Sequence, residues 1–155
     1  MEAHRWIGHA RSAAGDPEGA LTEYRLALLE APRDPWLHYA SGICWNTMGD
    51  TERALESFTR TLEFDPRHVK ALQWRGEVRH ALGDEPAALR DLTQCCEAID
   101  RSSDAELVAW GSDRRGLLLM TLALRIEVLA ALGDAQGARR DRERREALLL
   151  EGGAP

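Results

Sequence analysis

The sequence predicts an all-α protein of repeated helical hairpins, and three observations carry that prediction. The chain of 155 residues matches itself at an offset of 34 residues. A Gly-Asp pair recurs at this offset between stretches with helical periodicity. A small residue and then a bulky one follow each pair at fixed distances. Such a chain stacks similar hairpins, because one hairpin alone cannot bury its apolar face.

Gly-Asp pairs mark the predicted turn of each hairpin, at Gly15-Asp16, Gly49-Asp50 and Gly83-Asp84. Glycine ends a helix because it readily adopts the left-handed backbone conformation. Aspartate begins the next helix because its carboxylate accepts hydrogen bonds from the free N–H groups of the first turn. Asp34-Pro35 and Asp65-Pro66 predict further helix starts at the junctions between hairpins.

Glycines also recur inside the first helix of each hairpin, at Gly8, Gly42 and Gly76. A glycine within a helix costs about 1 kcal/mol relative to alanine. Its recurrence at one phase therefore predicts that a second helix crosses closely at that point. The second helices carry small and bulky residues at matching phases: Ala20, Ala54 and Ala88, followed by Tyr24, Phe58 and Leu92.

These residues resemble the tetratricopeptide repeat (TPR), a helical hairpin with small residues, a glycine and an aromatic at fixed positions. The matching ranges are 1–34, 35–68 and 69–102. The chain departs from the family at the fourth position, where His4, His38 and Leu72 stand instead of tryptophan. The resemblance implies a right-handed TPR solenoid of about eight helices, with a concave groove lined by the first helices.

A degenerate fourth repeat is predicted at about 119–150, where Gly133, Asp134 and Ala138 renew the pattern. They follow the third repeat at an offset of 50 rather than 34 residues. The final helix, 135–149, carries arginines where earlier helices are apolar, which is typical of a terminal capping helix.

The extra residues predict an insert at about 103–118 with a short helix over 104–110. Ser112 or Asp113 is expected to cap a long helix that runs to Leu132. Trp110 either fills the open end of the third repeat or anchors a second partner or a second copy. Residues 151–155 are expected to form a short disordered tail.

The resemblance also implies which residues line the groove. They are Arg5, His9, Trp36, Tyr39, Ile43, Asn46, Lys70, Gln73 and Glu77.

The helix predicted at 35–48 is unusual because it is apolar on two faces. One face, expected to join the core, consists of Leu37, Ser41, Cys44 and Met48. Trp36, Tyr39 and Ile43 lie on another face at spacings of three and four residues. Each apolar face must be packed against other atoms, and the neighbouring repeats pack against one of the two. The other face is covered either by a partner or by the chain itself, with residues 101–117 as the candidate segment.

We therefore predict a non-enzymatic adaptor or chaperone-like scaffold that binds a peptide or helix through an apolar anchor. Arg5 and Lys70 would favour acidic neighbours of that anchor. The alternative is self-association into a homo-oligomer through the groove and Trp110. Some TPR proteins clamp the C-terminal carboxylate of chaperone tails. Arg5 and Lys70 suit that activity. Three other positions do not, because His9, Ala40 and Trp74 stand where asparagine, asparagine and a basic residue are expected.

Other function classes find little support in the composition. The net charge of −6 opposes binding to nucleic acid or acidic membranes. Arginines near the C-terminus are expected to pair internally with acidic residues four positions away, as Arg139–Glu143, Asp141–Arg145 and Arg142–Glu146. No nucleotide-binding, hydrolase or metal motif appears, so we expect no cofactor. The three cysteines indicate buried thiols in a reducing, cytoplasmic compartment, and no signal peptide or membrane span is predicted.

Overall fold

Helices joined by tight turns make up the structure. The computed structural model describes residues 2–109 and 113–151, apart from the side chain of Ala109. These residues form nine helices and no strand: α1 (Glu2–Ala13), α2 (Pro17–Glu30), α3 (Pro35–Thr47), α4 (Thr51–Phe64), α5 (Val69–Ala81), α6 (Glu85–Arg101), α7 (Asp104–Ala109), α8 (Arg114–Ala131) and α9 (Ala135–Glu151). The all-α prediction is therefore confirmed, while the exact division into repeats stays a prediction.

The chain divides into two compact units, Met1–Ala71 and Leu72–Pro155. In unit 1, α1 packs against α2, α2 against α3, and α3 against α4. In unit 2, α6 packs against α8 and α8 against α9. The core of unit 1 contains the fully buried side chains of Tyr24, Leu37 and Phe58.

The four Gly-Asp turns have the predicted geometry. Their glycines have φ angles between +76° and +80°, which favour a residue without a side chain. Each following aspartate caps a helix; Asp16, for example, accepts a hydrogen bond from the N–H of Gly19 at 2.8 Å. Asp34 likewise caps α3 by accepting from the N–H of Trp36 at 2.9 Å.

The predicted helix start at Asp65-Pro66 is wrong. Asp65 is the C-cap of α4, and α5 begins only at Val69. The Asp65 carboxylate accepts from the N–H of Arg67 at 3.2 Å and so closes a turn. Its place at the helix start is taken by His68, whose Nδ1 accepts from the N–H of Ala71 at 3.2 Å.

The close helix crossing at the internal glycines is confirmed. A Cβ added to Gly8 would lie 2.6 Å from the ring of Tyr24, and one on Gly42 would lie 2.6 Å from the ring of Phe58. At Gly76 the nearest atom is Cγ of Leu92, at 2.9 Å. The bulky residue of each second helix therefore lies directly on the glycine of the first helix.

The predicted core face of α3 is largely confirmed. Leu37, Ser41 and Cys44 are buried. Met48 is an error of the prediction, since 40% of it is exposed. It lies at the C-cap of α3, after the last helical turn.

The later helices agree with the sequence in outline but only in part in their ion pairs. Asp113 caps α8 by accepting from the N–H of Gly116 at 2.7 Å, while Trp110 and Ser112 lie outside the described residues. The pair Arg139–Glu143 forms at 3.4 Å. The expected pairing of Asp141 with Arg145 is wrong, because Asp141 is buried and binds another helix.

Two buried Arg–Asp pairs join the helices of unit 2. Arg75 on α5 holds Asp91 on α6 through two bonds of 2.9 and 2.8 Å, and Arg79 adds a third of 2.8 Å. Arg125 on α8 holds Asp141 on α9 through two bonds of 2.6 Å. The second pair lies 50 residues after the first, at the offset of the degenerate repeat.

We predict that Gly42→Ala destabilises unit 1 although alanine is the better helix former. The new methyl group collides with the Phe58 ring, and overpacking of this kind costs about 1–3 kcal/mol, against about 1 kcal/mol gained in helix propensity. Urea unfolding of Gly42→Ala in the wild-type and Phe58→Leu backgrounds measures the collision. The loss should shrink in the Phe58→Leu background, and an equal loss in both would contradict the crossing geometry.

Candidate peptide-binding face

The structure places seven of the nine predicted groove residues in unit 1. Arg5 and His9 lie on α1, and Lys70 lies at the start of α5. The other four lie on α3: Trp36, Tyr39, Ile43 and Asn46. We call these seven residues the groove face. Gln73 and Glu77 lie on the part of α5 that belongs to unit 2, half-buried and exposed respectively.

Trp36 has neighbours on several sides of its ring. The guanidinium carbon of Arg5 lies 4.3 Å from the ring centroid, which is a cation–π contact. The ring of His9 lies 6.1 Å away, and Tyr24 meets the indole edge-on at 5.8 Å. The indole remains half-buried, so its position is fixed while part of it stays open.

Tyr39 is held in a similar way. Its ring lies 4.9 Å from His68 and 6.1 Å from Phe58, and the residue is half-buried. The two aromatic residues of the groove face are therefore partly covered by their own unit. This cover comes from α1, α2, α4 and His68.

The remaining members of the groove face supply polar groups. Within the described ranges, neither the side-chain amide of Asn46 nor the imidazole of His9 has a hydrogen-bond partner. Arg5 lies 3.6 Å from Asp34, an ion pair that is partly exposed. The face can therefore take an apolar group against Trp36 and Ile43, while Asn46 and His9 can bond to a backbone or a polar side chain.

Two contacts of this face were not predicted from the sequence. The edge-on contact of Tyr24 was missed because Tyr24 was assigned to the helix crossing alone. Trp6, which is 64% exposed and lies 6.4 Å from His9, was also missed. A spacing of three residues between Trp6 and His9 on a predicted helix was the available signal.

Other sites of chemistry are not evident in the described part of the chain. It contains no cluster of three or more His, Cys, Asp or Glu side chains with the geometry of a metal site. Cys44, Cys95 and Cys96 are free and buried, and burial raises the pKa of Cys95 to about 12. A thiol with so high a pKa stays protonated and serves packing. Among the described helices, none has the length and apolar character needed to cross a bilayer.

Comparison with known proteins finds sequence relatives that match only part of the chain. No family model matches the chain. The "FK506-binding protein-like" protein of Rattus norvegicus is 39% identical over 112 residues, which are 67% of this chain and 32% of that protein. The chain thus spans about a third of the length of this relative.

Solved structures share the fold. The first TPR of Spaghetti (RPAP3), bound to the HSP90 peptide SRMEEVD, superposes with a TM-score of 0.70 at 15% identity, covering 84% of this chain and 91% of that one. The TPR2B domain of yeast Sti1, in its complex with pHsp70, gives a TM-score of 0.65 at 21% identity, covering 79% and 94%. The helical hairpins and their Gly-Asp turns define an all-α helical-repeat protein. The chain therefore has the fold of tetratricopeptide-repeat domains, and the predicted fold is confirmed.

We predict that His68 makes stability fall on acidification. Burial lowers the pKa of His68, partly opposed by the charge of Asp65 and aided by that of Lys70. The unfolded chain therefore binds the proton more readily. This contribution to the free energy of unfolding is present above the unfolded pKa of about 6.5 and is lost as pH falls through the folded-state pKa.

The measurement compares urea unfolding of the wild type and His68→Asn between about pH 7.5 and pH 5. Asparagine keeps an acceptor for the Ala71 N–H but does not titrate. The difference between the two proteins should change by less than about 1.4 kcal/mol per pH unit, the limit for one proton. Parallel curves for the two proteins would show that His68 does not carry the dependence.

Proposed function

We propose that this protein is an interaction adaptor that binds a peptide or helix of a partner protein on the groove face. The observation that carries the proposal is the half-buried Trp36, which Arg5, His9 and Tyr24 contact while part of the residue stays exposed. Tryptophan and arginine dominate the binding energy of interfaces when they are held rigid and can be desolvated.

The residues around Trp36 indicate the chemistry of the partner. An apolar side chain would pack on the indole and on Ile43, and the amide of Asn46 would bond to the partner's backbone. Arg5 and Lys70 would favour an acidic residue beside the apolar anchor. The RPAP3 and Sti1 domains, which share the fold, are bound to an HSP90 peptide and to pHsp70 respectively. These complexes support peptide binding as the activity, and we assign no catalytic step to the protein.

A peptide library displayed on phage tests this proposal. Selection on the wild-type protein should enrich peptides with an aromatic or aliphatic anchor next to acidic residues. Trp36→Ala should weaken the affinity of a selected synthetic peptide by about 2–4 kcal/mol, because it removes an interface tryptophan. Asn46→Ala should weaken it by about 1 kcal/mol, the usual worth of a hydrogen bond.

Trp45→Ala is the matched control, because Trp45 lies on α3 but outside the groove face. It should leave the affinity unchanged. Circular dichroism and urea unfolding must show that each variant is folded at the temperature of the titration. Peptides that bind Trp36→Ala and Asn46→Ala as tightly as the wild type would refute the groove face as the site.

A second candidate function is self-association, and the outer face of α1 favours it. On α3, the core residues Leu37, Ala40 and Cys44 pack against α2. The residues 34 positions earlier on α1 are Ala3, Trp6 and Ala10, and they are exposed. Ile7 completes this stripe and is 45% exposed. These exposed residues of α1 occupy the positions that pack against another helix in α3. They can therefore pack against a helix of a second copy.

We predict that the wild type forms a dimer at tens of micromolar and that Ile7→Glu is monomeric. A charge in the centre of an apolar interface costs several kcal/mol when it is desolvated without a partner. Sedimentation velocity across a concentration series measures the mass. Gln94→Glu is the control, since it adds the same charge at an exposed position of unit 2. A monomeric wild type would rule out this candidate and leave the adaptor proposal intact.

A further inference from the structure

One pair of facing positions carries different residues in the hairpins of the two units. In unit 2 this pair is Arg75 with Asp91, and again Arg125 with Asp141, and both pairs are buried between two helices. The residues 34 positions before Arg75 and Asp91 are Ser41 on α3 and Ser57 on α4. Two small side chains thus stand in unit 1 where a bidentate ion pair fills the same space in unit 2.

A pocket of about 610 Å³ lies at these serines. Three helices of unit 1 line it, and the lining includes Leu21, Leu28, Ser41, Trp45, Met48 and Ser57. We call it the serine pocket. Its volume falls within the range of about 300–1,000 Å³ that is typical of small-molecule sites.

The walls of the serine pocket are more apolar than their composition suggests. The Ser41 hydroxyl donates to the carbonyl of Leu37 at 2.8 Å, and the Ser57 hydroxyl donates to the carbonyl of Arg53 at 2.8 Å. Both hydroxyl protons are therefore used by their own helices. The leucines and the half-buried Trp45 are left to contact whatever enters.

The rim of the pocket is charged, with arginine in excess. It carries Arg25, Arg53 and Arg60 against two carboxylates, Glu18 and Glu56. The guanidinium of Arg53 lies 4.7 Å from the Trp45 ring centroid, so one cation is held directly on the apolar wall. Arg25 has no carboxylate partner within the described ranges.

The existing ion pairs of the rim arginines leave them available to a ligand. Arg53 pairs with Asp50 at 3.3 Å and Arg60 with Glu63 at 3.5 Å, each within one turn of an exposed helix surface. Such surface pairs contribute little, since water competes for both charges. An anion that enters beside Trp45 can therefore exchange places with Asp50 at the Arg53 guanidinium, which already lies against the indole.

We propose that the serine pocket is a binding site for a small amphipathic anion, with an aryl or alkyl body and one carboxylate or sulfonate. The body packs on Leu21, Leu28 and Trp45, and the anionic group binds the guanidinium of Arg53, with Arg25 nearby on the rim. The site is independent of the groove face, because the two use different residues of α3. Ligand at one does not require a partner at the other.

Fluorescence titration with 8-anilino-1-naphthalenesulfonate tests the proposal, since this probe joins apolar rings to one sulfonate. We expect one saturable site per chain. Ser41→Arg combined with Ser57→Asp rebuilds the ion pair of unit 2 in the pocket and should abolish that site. Ser57→Leu fills the pocket with apolar atoms instead and should weaken binding at least about tenfold. That loss corresponds to the binding free energy of one buried apolar group.

Further variants and a second probe test whether the ligand must carry a negative charge. Arg53→Gln should weaken binding about three- to tenfold, as loss of one charge-assisted contact does. Arg67→Gln, at an exposed position outside the pocket, should have no effect. N-phenyl-1-naphthylamine has the same rings without the sulfonate, and should bind more weakly than the anionic probe and be insensitive to Arg53→Gln.

Each outcome decides a part of the proposal. Unchanged binding in folded Ser57→Leu, and in the double variant if that folds, would overturn the site. Equal affinity for the two probes together with no effect of Arg53→Gln would overturn the anionic ligand class. Loss of the probe site in the pocket variants, with peptide binding on the groove face retained, would support the site and its independence.

Discussion

The contact between a glycine of one helix and the bulky residue of the next determines the rest of this structure. Gly8 on Tyr24, Gly42 on Phe58 and Gly76 on Leu92 bring each helix pair closer than any side chain at the glycine would allow. A closely packed hairpin also needs a tight turn, which the Gly-Asp pairs supply. Once the crossing and the turn are fixed, the phase of every other residue on each helix follows, including which residues of α3 face the core and which stay open.

Positions that do not take part in the crossing are free to differ between hairpins, and these differences give each hairpin its chemistry. The facing pair that holds arginine and aspartate in unit 2 satisfies both charges with several hydrogen bonds, as a buried ion pair must. The serines of unit 1 avoid the desolvation of two charges but leave space that no side chain fills. This space is open to solvent, so its apolar lining remains hydrated in the free protein. A bound apolar group removes that surface from water, which favours binding.

Local signals in the sequence predicted the parts of the fold that local chemistry determines. The positive φ of the turn glycines and the aspartate caps depend on a few adjacent residues, and both follow from the sequence. Asp65 failed as a helix start because its carboxylate closes a turn at Arg67, while His68 caps α5 instead. Asp141 was assigned to a neighbour on its own helix, whereas its partner Arg125 lies on α8. The candidate face was predicted as a set of positions, but its internal contacts, such as Tyr24 against Trp36, depend on how three helices meet.

Partial burial of the groove face changes what it can contribute to binding. A fully exposed indole would lose rotational freedom on binding, and that loss would reduce the affinity gained from its contacts. Trp36 is already held by a guanidinium, an imidazole and a phenol ring, so most of that ordering has occurred in the free protein. Tyr39 is fixed in the same way between Phe58 and His68. The contacts that hide part of each ring therefore also preorganise the rest, which makes a half-buried aromatic face better suited to recognition than an open one of larger area.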